Sequence, residues 1–453
     1  MSRRYWAALL IVLFGLASVH AQPADKDSDK TDGNKPAAGN PLTFFKGGRL
    51  SADEPNQKDL REFDKMVRGA DDPPITGDRR KELFDKVLRY LIYRLTWENI
   101  HEGLEPITTR DIMEGSRTGT MDGIFKAFPP PTFNKQAEDP EEAAKRQRQQ
   151  KYLAEMRGYA TEYLREVLKN RLLIARLNAA IVFHRLAEYG QEEILDDLIA
   201  IIENPNEHDA VKHWAIKSVN ELFTANAGKK PKDPQRMDNA ALAVYRWLDE
   251  HTRTPPTLLA ELSEPEKDGI RYIRREAIRT LGNYRKPVII DDPKAGRREG
   301  PTAELLLRIM NNQENSVLPE ASLTERKEAA EALCYLQGKN APNYQQDYVA
   351  FQVGRFIALL GAEASRDPSR TNQRWKAFAA HLKAATDALS ADVGKNSPHS
   401  AYVGKILDRI QPVLENLFDD RLATTAVGDL NEHLNTSPPK STELFGKPPM
   451  KNN

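Results

Sequence analysis

The side chains with the widest chemical range in this chain are nine histidines and a single cysteine, Cys334. A zinc site needs ligands that converge at set spacings, such as HExxH or CxxC. His208 and His213 stand five apart, which splays them around a helix, and no cysteine accompanies them. His101 and Glu105 are four apart, but Gly103 and Pro106 oppose a continuous helix there. His184 follows Phe183 in a helical pattern and reads as a packing position. No metal and no cofactor is therefore expected. Gly115-Ser-Arg-Thr-Gly119-Thr has loop glycines but lacks the lysine and preceding strand of a phosphate-binding loop, and no G-x-S-x-G elbow exists. The adjacent pairs Asp196-Asp197 and Asp419-Asp420 point in different directions on a helix, so neither makes an acid/base couple. No catalytic residue is expected. Trp97, Trp214, Trp247 and Trp375 sit in apolar helical patterns and read as core. Cys334, in an alanine- and leucine-rich helix, reads as an inert buried thiol.

The surface candidate is basic. Between Ile270 and Arg285, the residues Ile270, Ile273, Ala277, Ile278, Leu281 and Tyr284 share one helical face. Arg271, Arg275 and Arg279 line an adjacent arc at i, i+4 and i+8. Such a strip fits an acidic protein partner, an anionic glycan or a lipid headgroup. The plainer alternative is a solvated face neutralised by acids of neighbouring elements, which charge runs favour as a class. Over the whole chain 66 basic residues balance 66 acidic ones. That balance argues against a nucleic-acid binder, which needs a basic surplus to displace counterions.

The elements that carry this strip repeat. Four segments place a basic residue, alanine three later, an apolar residue at four and a bulky apolar residue at seven. They are Arg176/Ala179/Ala180/Phe183, Lys212/Ala215/Ile216/Val219, Arg274/Ala277/Ile278/Leu281 and Arg326/Ala329/Ala330/Leu333. A looser fifth begins at Arg374, with Leu382 one position late. Each of the four is followed by a second apolar helical stripe, at 194–202, 240–248, 303–310 and 348–360. Helical hairpins of this kind bury their faces by stacking. Their spacings of 36, 62 and 52 residues depart from the usual ~40–47. Insertions at 229–234, 252–268 and 286–301 account for the long ones.

Asp209-Ala-Val-Lys212-His-Trp-Ala215-Ile-Lys-Ser-Val219 and Ile273-Arg274-Arg-Glu-Ala277-Ile-Arg-Thr-Leu281-Gly282 resemble HEAT repeats. The resemblance covers roughly 172–362 and extends weakly to about 421. It implies a HEAT-like α-solenoid of stacked helical hairpins. The residues before it, which the resemblance does not cover, are also helical in pattern, so the expected fold is all-α with the solenoid preceded by a helical N-terminal region. The resemblance also implies an inter-repeat ladder of acids and bases, a role that Asp209, Lys212, Arg274 and Arg326 match. Asp268, the nearest acid in the third unit, is displaced by one turn.

The N-terminus reads as a targeting segment. Arg3 and Arg4 precede an apolar run from Tyr5 to Ala17, with small residues at Val19 and Ala21, which fits a secretory signal cut after residue 21. Ser2-Arg3-Arg4-Tyr5-Trp6 also resembles a twin-arginine signal, but Ala7 replaces the usual leucine, and ordinary secretion is preferred. The expected organisation is a signal at 1–21, a disordered spacer at 22–55, a helical region at 56–170, the solenoid at 171–435 and a disordered tail at 436–453. Within the helical region, 141–169 reads as a solvated, charge-alternating helix. If the signal is cleaved, no transmembrane helix remains. The expected function is a non-catalytic protein-interaction scaffold in the periplasm or cell envelope, or outside the cell. The alternative is a secreted α/α-toroid acting on or binding carbohydrate, which needs two carboxyls converging in one cleft.

Overall fold

The computed structural model describes residues 49–70, 74–97, 140–292, 297–312, 316–338, 341, 343–367, 373–395 and 397–445. The targeting segment, most of the spacer, His101, Glu105 and Gly115–Thr120 lie outside the described residues. The described chain divides into two compact units. One comprises residues up to 197 together with 205–218, and the other comprises 198–204 and 219 onward. The division runs through two helices, at 197/198 and 218/219.

In the first unit, α1 (Gln57–Val67) starts where the Asn56 side chain accepts from the Asp59 N–H at 2.9 Å. α2 (Gly77–Leu83) passes through a π-helical turn at Phe84–Leu88 into α3 (Arg89–Tyr93). α4 (Pro140–Leu168) has the solvated, charge-alternating face its sequence suggests, and its other side buries Tyr152, Met156, Ala160, Tyr163, Leu164 and Val167. Arginine and glutamate dominate its sequence by number, but apolar side chains recurring every three or four residues decide which side faces inward. The end of the spacer is likewise packed. Arg49 lies over the Trp97 ring, and Leu50 exchanges hydrogen bonds with Thr96 and the Trp97 indole at 2.9 and 3.0 Å. α5 (Leu173–Ala187) carries the first template copy. α6 (Leu195–Glu203) and α7 (Asp209–Ala225) follow, each shared between the two units.

The second unit continues with α8 (Pro234–His251), α9 (Pro256–Glu261), α10 (Glu264–Tyr284), α11 (Thr302–Asn311), α12 (Leu323–Tyr335) and α13 (Gln346–Arg366). It ends with α14 (Gln373–Val393), α15 (Ser400–Phe418) and α16 (Thr424–Thr436). α10, α12 and α14 pack in series, and so do α11, α13 and α15. α8 and α11 each pack also against the first helix of the following hairpin. The template explains this alternation, because its alanine and apolar positions are buried in all four copies. Close approach is visible where α10 meets α12: a Cβ on Gly282 would lie 2.8 Å from that of Ala332. In the fifth copy Trp375, Phe378, Ala379 and Leu382 are buried while Ala377 is exposed. The frame therefore starts at Trp375, with large and small residues exchanged, and Leu382 is in register.

Two expectations change here. The insertion after α10 forms a short antiparallel hairpin, β1 (Ile289–Asp292) with β2 (Arg297–Gly300). Ile289 is buried, and Gly300 lets the strand lie against Leu242 and Tyr245 of α8. The chain after α16 is packed as far as residue 445, not loose. Ser437 O accepts from the Tyr402 hydroxyl, Leu444 is buried, and Leu444 O accepts from the Gln345 N–H at 2.8 Å.

The largest fully buried side chain in the fold belongs to Arg274. Its Nε donates to Glu325 at 2.7 Å, and one Nη donates to the carbonyls of Pro319 at 2.9 Å and His251 at 3.4 Å. Glu325 is equally buried, and its second oxygen accepts from the Ser322 N–H, closing a capping box at the start of α12. Removing one partner of such a pair strands a buried charge, a loss of ~3–5 kcal/mol. Glu325→Gln should lower unfolding stability by about that amount in urea titration, whereas Arg274→Met/Glu325→Leu together should cost less than either single change. A loss below ~1 kcal/mol for the single variant would contradict this account.

Candidate functional site

α10 begins where Glu266 accepts from the Ser263 N–H at 2.8 Å and from its hydroxyl. It ends at Arg285 in the left-handed conformation, φ 63°. Between them the predicted inner face is buried at Ile273, Ala277, Ile278 and Leu281. The arginine arc is placed as expected, but it is not a row of free cations. Arg271 pairs with Asp268 at 2.8 Å and donates to the Glu320 carbonyl at 3.0 Å. Arg275 and Arg279 both reach Glu328 of α12, at 2.8 and 2.6 Å, and Arg279 also reaches Glu276 at 3.2 Å. Asn220 of α7 donates to Glu276 at 3.0 Å and accepts from Asn283 at 2.8 Å. A polar network thus joins α7, α10 and α12, and the plainer alternative describes the charges of the strip.

Two carboxylates in this network show how partner number sets ionisation. Burial pushes the Glu328 carboxyl upward, but two guanidiniums outweigh it and hold the group below its ordinary range. Burial also raises Glu331, and there the single ammonium of Lys327 at 2.9 Å does not outweigh it, so the net shift is upward. His381 of α14 completes that second cluster, with Nδ1 3.3 Å from the Lys327 Nζ.

The ladder residues behave differently from one another. Arg274 reaches the next copy through Glu325, and Arg176 reaches Glu207 at 3.1 Å in the first unit. Arg326 instead donates to the Met310 carbonyl at 2.8 Å and lies over the Phe356 ring. Asp209 is exposed and Lys212 buried, and among the described residues no ion pair joins either to a neighbouring helix. Asp268 serves Arg271 on its own helix. A repeated base therefore finds an acid or a carbonyl according to what the neighbouring loop offers, so a uniform ladder does not form.

The remaining chemical candidates are structural. Asp197 accepts from Arg165 at 2.7 and 3.0 Å, and Asp420 pairs with Lys376 at 2.7 Å. Trp214, Trp247 and Trp375 are buried, while Trp97 is only half-buried beneath Arg49. Cys334 is buried, and burial pushes its thiol far above the ordinary range, which makes it unreactive. Among the described residues no His/Cys/Asp/Glu group is placed to hold a metal, and no helix is long and apolar enough to cross a membrane.

Two features escaped pattern reading. The segment 316–320 runs beside Thr252 and Arg253, with the Leu318 N–H donating to the Thr252 carbonyl at 2.9 Å. Against α9 and the start of α10 it closes a groove of about 480 Å³ lined by Leu259, Lys267, Arg271, Val317 and Pro319, among others. No periodicity marks it, because its walls come from three separate segments. The second is Tyr272, an aromatic left 41% exposed on α10 among Arg275, Arg279 and Glu276.

No protein family matches the chain, and neither a curated protein nor a solved structure matches it.

His184 supplies a pH test. Burial, then Lys217, Arg185 and His213, pushes its pKa down to about 3, and its Nδ1 is buried without a hydrogen bond beside Trp214. An unfolded histidine titrates near 6.5, so the unfolded chain takes up a proton that the folded chain refuses. This contribution is constant above pH ~6.5 and turns destabilising as pH falls toward 3, at up to about 1.4 kcal/mol per pH unit. His184→Gln should flatten the stability–pH curve between pH 6 and 4 in denaturant titrations. An unchanged slope would rule out His184 as its source.

Proposed function

We propose that this protein is a non-catalytic interaction scaffold of the periplasm or cell envelope. Its hairpins from 171 to 435 stack as a HEAT-like α-solenoid, and a protein partner docks on the α10 face around Arg271, Tyr272, Arg275 and Arg279. The serial packing of α10, α12 and α14, with α11, α13 and α15 alongside, supports the solenoid reading. Export rests on the N-terminal sequence pattern alone.

The observation that carries the binding reading is the exposed Tyr272 set among guanidiniums. Tyrosine and arginine are the residue types that dominate interface energetics, since both offer large contact area with polar ends. Arg275 and Arg279 beside Tyr272 are already matched by Glu276 and Glu328, so this part of the face has little net positive charge to attract an anionic glycan or lipid headgroup. A folded protein surface that supplies apolar contact to Tyr272, and hydrogen bonds to guanidinium edges, fits better than a polyanion. The groove carboxylates are similarly engaged: Glu264 holds Lys267 at 2.8 Å and Glu320 accepts from Asn312 at 3.0 Å. That arrangement favours a structural over a hydrolytic role.

A photo-reactive amino acid in place of Tyr272 should yield a discrete cross-linked adduct in the native envelope. Adding Arg275→Glu with Arg279→Glu should abolish it. No adduct at Tyr272, together with hydrolysis of an envelope polysaccharide by the purified chain, would replace this reading with the carbohydrate-active one.

A further inference from the structure

The charges of the groove beside α10 are sorted by depth. Lys267 and Arg271 face it with side chains only 21% and 22% exposed, whereas the acids that pair with them, Glu264 and Asp268, are 72% and 66% exposed. The cations are therefore held in place and their counter-charges stand in water. Glu264 lies 2.8 Å from Lys267 Nζ and 4.0 Å from Arg271 Nη1, so one carboxylate serves both cations. Because that carboxylate is itself exposed and screened by water, an incoming carboxylate can take its place between them. Arg275 and Arg279 offer no such exchange, because Glu328 beneath them is buried.

The apolar surface still open to the groove is narrow. Val317 and Pro319 are already buried, so it comes from the half-buried Leu318 and from α9 across from it, which buries none of its side chains. Leu259 of α9 lines the groove, and Leu258 beside it is 49% exposed. A helix that keeps two leucines without burying either lacks its packing partner, since each leucine gains ~1.5–3 kcal/mol when fully covered. The groove thus needs a ligand with a carboxylate and an apolar group a few ångströms apart. Its volume of about 480 Å³ lies in the range of small-ligand sites and suits one or two amino-acid residues.

We infer that this groove binds the free C-terminus of a partner polypeptide ending in apolar residues. The terminal carboxylate sits between Lys267 and Arg271, and the last side chain lies between Leu259 and Leu318. A terminal residue carries its carboxylate and its side chain on one carbon, which matches adjacent cationic and apolar walls. An internal aspartate or glutamate places polar backbone against the leucines instead. This inference rests on the scaffold reading and specifies a second contact for the partner. Its test is separate, because it reads peptide binding at Lys267 and Arg271 and not cross-linking at position 272.

The experiment is calorimetric titration of the full chain with N-acetyl-leucyl-leucine, its C-terminal amide, and octanoate. The free acid should bind saturably at one site per chain, and the amide about tenfold or more weaker. Lys267→Ala and Arg271→Ala should each weaken the acid at least fivefold, while Glu264→Gln should strengthen it by removing the resident carboxylate. Lys267→Ala keeps the test interpretable if Arg271→Ala, which also frees the Glu320 carbonyl, proves unstable. Equal binding of acid and amide, no saturation by 10 mM (roughly −2.7 kcal/mol on the 1 M scale), or no gain in Glu264→Gln would overturn the proposal. Octanoate binding more tightly than the dipeptide would assign the groove to a small carboxylate. Cross-linking at Tyr272 with no peptide binding would remove the groove and leave the scaffold.

Discussion

The buried pair of Arg274 and Glu325 is the constraint on which the second unit depends. Two opposite charges taken fully out of water are costly, and their attraction offsets that cost only when the remaining donors and acceptors are filled. Here Arg274 meets the carbonyls of His251 and Pro319 and Glu325 accepts from the Ser322 N–H, while the second Nη of Arg274 has only the charge of Glu325 at 2.7 Å and no hydrogen bond. The end of α8, the 316–320 segment and the start of α12 are therefore fixed by one guanidinium. Burial pulls the Arg274 pKa below its ordinary value, although Glu325 opposes that pull. Apolar packing could hold the same helices, but it would not set their register so narrowly. A leucine tolerates a slide of an ångström, and a guanidinium with three assigned acceptors does not.

Around that anchor the helices divide two kinds of work. The alanine and apolar positions of the template supply burial and close approach, as Gly282 against Ala332 illustrates. Polar groups one helical turn away supply direction: Arg275 and Arg279 to Glu328, then Lys327 with Glu331 and His381. Every charge in the first group has an opposite neighbour within hydrogen-bond distance. The strip consequently contributes to joining α10 and α12 before it contributes to any partner, and a binding role uses the edges of its guanidiniums and the exposed Tyr272.

The alternation of helices was legible because it rests on one rule, a small residue three places after a base and bulky apolar residues at four and seven. That rule located α5, α7, α10 and α12 and their second helices to within a few residues. It misplaced the frame of α14 by one, since Arg374 resembles the template base while Trp375 does the packing. The burial of one side of α4 was hidden by its charge content, and the docking of 437–445 by its prolines. The acids that complete the network, Glu325 and Glu328, were not readable. They occupy positions −1 and +2 of the fourth copy, where the other copies have no matching acid at the first position. Pairing across copies depends on loop lengths that differ by tens of residues, so spacing within one copy carries no record of it.

The same loops decide where exchangeable charge lies. The insertion between α8 and α10 carries α9 and brings Glu264 and Asp268 to the open side of Lys267 and Arg271. Further along α10, Arg275 and Arg279 meet Glu328 of α12, which is buried between the two helices. One helix thus has two electrostatic regimes separated by a single turn. Where the acid is buried, desolvation and two guanidiniums make the pair permanent. Where the acid is exposed, solvent screening makes it replaceable. A repeat protein with a uniform polar face would have neither distinction. The irregular insertion gives this face one end that joins α10 to α12 and another whose acids stand in water.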